Sequence, residues 1–256
     1  MISLKSGEEI VIMQEGGRIL KKVLKDSLAE VKPGVTLASL DKFAERKIHE
    51  FKAEPSFKKV PGYNFTICSC VNDVVVHGIP TDYVIKEEDI VGIDCGVYYK
   101  GFHTDAASTI KVQSLNLKAQ INDKEVENFL SIGNRALLEA IKQVRSGNYI
   151  YDISQAIQNT IENAGYSVVR TLVGHGIGKN LHEEPEVPGF IKEKKEKTVK
   201  LNIGMVLAIE VIYNMGTSEV RYKGNDGWTI ATKDGKISGL FEKTVALTPH
   251  GSLVLT

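Results

Sequence analysis

The chain predicts an α+β architecture built from two related halves, and three observations carry that prediction. Helix-period apolar runs and β-branched runs come in blocks: helices, strands, helices, strands. Each strand block holds two carboxylates in apolar or glycine-rich settings, Asp94 and Asp105 in the first and Glu210 and Glu242 in the second. The composition, 42% apolar and 25% charged over 256 residues, is that of an ordinary globular protein able to bury a sizeable core.

The elements follow in order. Ser6 and Glu9 have capping-box spacing ahead of Ile10, Met13, Ile19, Leu20, Val23, Leu24 and Leu28, so a helix is expected to about Glu30, ended by Lys32-Pro33-Gly34. Thr36 caps a second helix whose face is Leu37, Leu40, Phe43, Ala44, Ile48 and Phe51. From Phe65 to Val76 two β-branched runs flank Asn72-Asp73, which reads as a hairpin. Asp89 to Val112 reads as strand, turn, strand. Asp94 and Asp105 have their midpoint at Tyr99 and Lys100, so a tight turn near Lys100-Gly101 sets them directly or diagonally opposite on one face. After a polar stretch at 115–123, helices are expected to about Arg145 and from Asp152 to Asn163, the latter stopped by Gly165. Ser167 to Leu172 reads as a strand entering a glycine loop around His175. The charge run Lys192 to Lys200 reads as a solvated linker or hairpin tip. Asn202–Asn214, Glu219–Lys223, Gly227–Thr232 and Lys236–Thr248 read as strands.

Lys+Arg and Asp+Glu number 32 each, which argues against a protein that coats nucleic acid or an anionic membrane. No stretch approaches the roughly 20 apolar residues of a membrane helix. The start, Met1 to Glu9, lacks the basic and apolar regions of a signal peptide. Cys68, Cys70 and Cys95 form no C-x-x-C pair, which suits a reducing, cytoplasmic compartment.

A carboxylate inside a buried strand is costly unless something positive compensates it. Any one of these acids could cap a turn or pair with a surface base. Four in such settings, with few basic neighbours and with His175 inside Gly174-His175-Gly176-Ile177-Gly178, point to metal: Asp94, Asp105, His175, Glu210 and Glu242. Carboxylates with one imidazole suit divalent ions of intermediate hardness, and the ligand types do not choose among them.

Of the remaining histidines, His49 and His250 read as structural. His77 stands before Gly78-Ile79-Pro80, where a ring can face a cleft, and His103 reads as a supporting neighbour of the ligands. The glycine run is no phosphate loop, because Val173 and Asn180 occupy the positions that need Gly and Ser or Thr. No G-x-S-x-G elbow is present, and Cys68 and Cys95 sit in apolar strands where thiols behave as small hydrophobes.

Taken together, His77-Gly78-Ile79-Pro80, Asp94-Cys95-Gly96, His103-x-Asp105-Ala106, Gly174-His175-Gly176-Ile177-Gly178, His182-Glu183-Glu184-Pro185, Gly204-Met205-Val206-Leu207-Ala208-Ile209-Glu210 and Gly227-Trp228-Thr229 resemble the type I methionine aminopeptidases, in order and spacing, from about Ile2 to Val254. The resemblance implies a pita-bread fold: two pseudo-symmetric α/β halves around a central antiparallel sheet with a dinuclear metal site, residues 1–256 forming a single catalytic domain. It implies two divalent ions per chain, Co, Mn, Fe, Zn or Ni. Asp94 would bind one ion and His175 with Glu210 the other, while Asp105 and Glu242 bridge both. His77 and His182 would contact the scissile peptide, Glu210, or the metal pair with its shared carboxylates, would handle the proton, and Tyr63, Cys68 and Trp228 would line the methionine pocket. The implied protein is a cytoplasmic monomer that removes initiator methionine from nascent chains, in transient proximity to the ribosome, and prefers a small second residue. The alternatives are a proline-directed aminopeptidase of the same fold and a metal-free pita-bread binding protein. The chain departs from the pattern at Val211 (usually Pro), Lys243 (usually His), Leu181 (often Phe) and Thr104 (usually Gly). None of these removes a ligand. Leu181 bears on pocket shape, and Val211 on the strand presenting Glu210.

Overall fold

The structure, a computed structural model, describes residues 2–113 and 124–256; the polar stretch expected at 115–123 lies outside the described residues. Helix α1 (Gly7–Ala29) begins with the expected capping box: Ser6 Oγ accepts from the Glu9 amide at 3.2 Å, and Glu9 Oε2 accepts from the Ser6 amide at 2.9 Å. Helix α2 (Leu37–Glu50) is capped by Thr36, whose Oγ1 accepts from Ser39 N–H. Their apolar faces, Leu20, Val23 and Leu24 with Leu40, Ala44 and Ile48, form one core with Val91, Ile93 and Val97. Helices α3 (Lys124–Lys142) and α4 (Ile150–Glu162) do the same for the second half, burying Phe129, Ala136, Ile153 and Ile157 against Ile209, Val211 and Phe241.

Each half is built around one long strand. In the first half, β4 (Ile90–Tyr99) pairs along its whole length with β5 (Phe102–Lys111); its other edge takes β1 (Glu54–Pro55) and β2 (Ile67–Val71). In the second half, β9 (Val206–Asn214) pairs with β12 (Ser238–Thr248). Its other edge takes β6 (Ser167–Val168) and β7 (Gly174–Gly176), and β8 (Glu183–Val187) and β13 (Gly251–Val254) extend the sheet. A third small sheet holds β3 (Val74–Val76), β10 (Val220–Tyr222) and β11 (Ile230–Thr232). All described ladders are antiparallel. The expected two-half α+β pita-bread architecture is present.

The halves meet where β5 faces β12, and threonine hydroxyls join them. Thr109 Oγ1 donates to the Leu240 carbonyl at 2.9 Å and accepts from its amide at 3.0 Å. Thr244 Oγ1, from the opposite strand, donates to the Asp105 carbonyl and accepts from its amide, both at 2.8 Å. Each half thus gives one hydroxyl that satisfies a backbone pair of the other, as a two-fold relation requires.

Three expectations are corrected. The Phe65–Val76 hairpin is not one: the turn exists, with Asn72 at φ 56°, but β2 pairs with β4 and β3 with β11. Asn72 is pinned instead to the start of β4, its amide donating to the Ile90 carbonyl and its Oδ1 accepting from Ile90 N–H, both at 2.8 Å. The strand after Ser167 is only two residues long. The glycine run at His175 is partly strand, and β8 follows it. At Gly176 a Cβ would lie 2.2 Å from the Glu184 carbonyl oxygen, so glycine serves close strand approach there.

Candidate metal centre and cleft

The five proposed ligands come from five strands, Asp94 from β4, Asp105 from β5, His175 from β7, Glu210 from β9 and Glu242 from β12. Lys100 (φ 47°) and Gly101 (φ 90°) make the expected tight turn between β4 and β5. Asp94 pairs with Ala107 and Asp105 with Gly96, so the two acids are diagonal neighbours on one face. Glu210 and Glu242 are directly opposed across β9 and β12. His175 pairs with Ala208, one diagonal step from Glu210, and its Nε2 lies 3.7 Å from Glu210 Oε1. One donor atom each from Asp105, His175 and Glu242 lies within 4.8 Å of the others.

Like charges directly opposed on a sheet repel. Burial pushes all four carboxyls above their ordinary range. The charge of Asp94 raises Asp105 and Glu210 further, and Asp105, Glu210 and Asp94 do the same to Glu242. Two of their oxygens, Asp94 Oδ1 and Glu242 Oε1, are buried with no hydrogen-bond partner among the described residues. A buried acceptor without a donor is expensive. Cations held there would supply the missing interaction, and this donor set fits hard to intermediate divalent ions. Burial also holds His175 down to about 4, so the imidazole is neutral and ready to ligate.

All ten residues singled out from sequence line one cleft: His77, Asp94, Asp105, His175, His182, Glu210, Glu242, Tyr63, Cys68 and Trp228. His77 enters it from a left-handed backbone, φ 56°. The His175 and His182 rings meet edge to face at 4.5 Å. Tyr63 Oη lies 2.8 Å from the Ile67 carbonyl and 3.2 Å from Cys68 Sγ, which fixes the ring against Trp228 at 5.1 Å. The Asp226 carboxylate accepts from the Trp228 and Thr229 amides, both at 2.8 Å, and so holds the loop that carries the indole.

Sequence reasoning missed Phe57, Val60 and Val76, which also line the cleft. The first two precede Pro61-Gly62 and Tyr63 in an irregular stretch with no periodicity; only their nearness to Tyr63 hinted at them. His103, read as a supporting neighbour of the ligands, sets its Nδ1 2.9 Å from Ser56 Oγ, and burial pushes it down to about 4. Val211 is fully buried in the second-half core and paired with Phe241, and β9 runs through it in register, so Glu210 is presented on a continuous strand. Thr104 is buried with its side chain against Gly16 of α1. Leu181 lines the cleft.

Residues 11–249 match the profile of metallopeptidase family M24. The chain is 43% identical over 256 residues to the methionine aminopeptidase of Clostridium perfringens, covering 100% of this chain and 99% of the relative. It is 39% identical to methionine aminopeptidase 1 of Bacillus subtilis, with the same coverage. Among solved structures, a methionine aminopeptidase from Thermotoga maritima superposes with a TM-score of 0.93 at 34% identity, covering 100% of this chain and 99% of that one. A prolidase from Pyrococcus horikoshii shares the fold at TM-score 0.75, but at 23% identity and over 63% of its own length.

Proposed function

The chain belongs to metallopeptidase family M24, and on that premise we propose that it is a methionyl aminopeptidase. The reading is that it removes the initiator methionine of nascent proteins and prefers a small second residue. One observation carries it. A buried, self-repelling set of four carboxylates and one imidazole, with two orphaned oxygens, lies in the same cleft as a wall of Tyr63, Trp228 and Cys68. The proline-directed alternative is not favoured, because the prolidase likeness extends to fold alone. The metal-free alternative leaves the carboxylates uncompensated.

In this reading Asp94, Asp105, His175, Glu210 and Glu242 would together hold two divalent ions; Co, Mn, Fe, Zn and Ni all suit the set. Ions held there would polarise the scissile carbonyl and lower the pKa of water. His77 and His182 are kept neutral by burial, so each has one ring N–H to donate to the carbonyl oxygen as it gains charge. Glu210, raised by burial, takes the proton of the attacking water and delivers it to the leaving amine. Tyr63, Cys68, Trp228 and Leu181 enclose the methionine side chain, whose burial contributes roughly 1.5–3 kcal/mol. The same reading takes residues 1–256 as one catalytic domain. It also takes the enzyme as a cytoplasmic monomer that meets nascent N-termini near the ribosome. No described helix is long and apolar enough to cross a membrane.

The test is hydrolysis of Met-Ala-Ser, with Ala-Pro-Ala as the contrast. The expected result is chelator-sensitive release of methionine and no action on Ala-Pro-Ala. Asp94→Asn or His175→Ala is expected to abolish turnover, and full activity in either would sink the assignment.

A further inference from the structure

We propose that Lys5 is a positioning residue for the reaction, acting through Glu183 to hold the loop that presents His182. The proposal rests on the functional reading above.

Lys5 lies just before α1, far in sequence from the cleft, yet its side chain is 2% exposed. Its Nζ donates to Glu183 Oε2 at 2.5 Å and to the Ser3 carbonyl at 3.2 Å. The Glu183 side chain is 8% exposed, and its second oxygen accepts from the Asn180 amide at 3.1 Å. The carboxylate therefore closes the loop from within while the ammonium grips it from outside. Lys5 is itself fixed, because its amide donates to the Gly204 carbonyl at 2.7 Å.

The loop is built to admit the pair. At Gly178 a Cβ would stand 2.3 Å from Lys5 Cε and 2.9 Å from Glu183 Oε1, so a side chain there would have to displace the ion pair and glycine leaves it room. The Gly178 carbonyl accepts from the His103 amide at 2.7 Å, which ties this point to the strand bearing Asp105. Residues 177–182 lie outside any strand. Leu181 and His182, at the end of that stretch and next to Glu183, both line the cleft. A small displacement of a group that must meet the reacting carbonyl costs far more in rate than in binding. Of the four residues read as enclosing the methionine side chain, Tyr63, Cys68 and Trp228 lie on other elements and Leu181 alone lies in this loop, so loosening it should change substrate affinity less than rate.

Removing one partner of a buried pair leaves an uncompensated charge, whereas replacing both by neutral groups is tolerated. The decisive protein is therefore Lys5→Met/Glu183→Gln, in which Gln can still accept from Asn180; Lys5→Met alone is its companion. Steady-state kinetics on Met-Ala-Ser, Mn²⁺ affinity by calorimetry, and thermal melting are compared with the wild type. The expected result is a double variant with near-native melting and Mn²⁺ affinity, kcat reduced at least ~10-fold and KM changed less than ~3-fold. Wild-type kcat in the double variant overturns the proposal, as does a kcat loss matched by equal losses in Mn²⁺ affinity or melting temperature. A wild type inert on Met-Ala-Ser would remove the functional reading instead, which keeps the two failures apart.

Discussion

His77 reaches the cleft with φ 56°, a conformation that a non-glycine residue keeps only when its neighbours over-determine it. The clamp is visible. The Ser69 amide donates to the Gly78 carbonyl at 2.7 Å, and a Cβ on Gly78 would stand 2.1 Å from the Ser69 oxygen. Gly78→Ala must break this contact and swing His77 away. Turnover of Met-Ala-Ser is expected to fall ~100-fold, and chemical denaturation to register a loss of about 1–3 kcal/mol. Native kinetics in that variant would show that the clamp does not aim the ring. Trp228 presents a different case, because its reading is that of apolar area against the substrate side chain and not of a group that meets the reacting carbonyl. Trp228→Ala is expected to raise KM, reducing kcat/KM roughly 10- to 100-fold with kcat nearly unchanged, the worth of about 1.5–3 kcal/mol of lost burial.

At the scale of elements, the threonine seam between β5 and β12 matters most, since it sets Asp105 against Glu242. Thr244→Val keeps the side-chain shape and strands the buried amide and carbonyl of Asp105. Equilibrium urea unfolding is expected to show a loss of roughly 1–3 kcal/mol, together with weaker Mn²⁺ binding because Asp105 rides on that backbone. An unchanged ion affinity would uncouple the seam from the site. The first two helices were legible in the sequence almost to the residue and the next two to within two or three, because caps and i, i+4 spacing are local signals: Ser6 and Thr36 cap the first two, and Glu9 completes the first capping box. Strand partners were not legible. The Asn72-Asp73 turn was correctly expected, yet its two arms belong to different sheets, because the partner of each strand lies far along the chain.

For the whole molecule, the buried acids make stability depend on pH and metal together. A carboxyl whose folded pKa lies above its unfolded value holds more protons folded than unfolded. The ion-free protein therefore loses stability from these groups as pH rises above the ordinary carboxyl value of about 4. Divalent ions bind the deprotonated form and reverse the penalty. Calorimetric melts with Mn²⁺ and with chelator are expected to diverge as pH is raised from about 5 to about 8. A gap that narrows over that interval would contradict the electrostatic account of the site.

The sequence by itself determined the α+β class, the two carboxylate pairs with their histidine, and the family likeness, because side-chain chemistry and short-range periodicity are written in neighbouring letters. Only the tertiary structure decided which strands pair, that threonines join the halves, that Phe57, Val60 and Val76 complete the cleft, and that Lys5 reaches Glu183. Those facts depend on contacts between residues tens to hundreds of positions apart, and the chain acquires them when burial of both cores brings its ends to the same site.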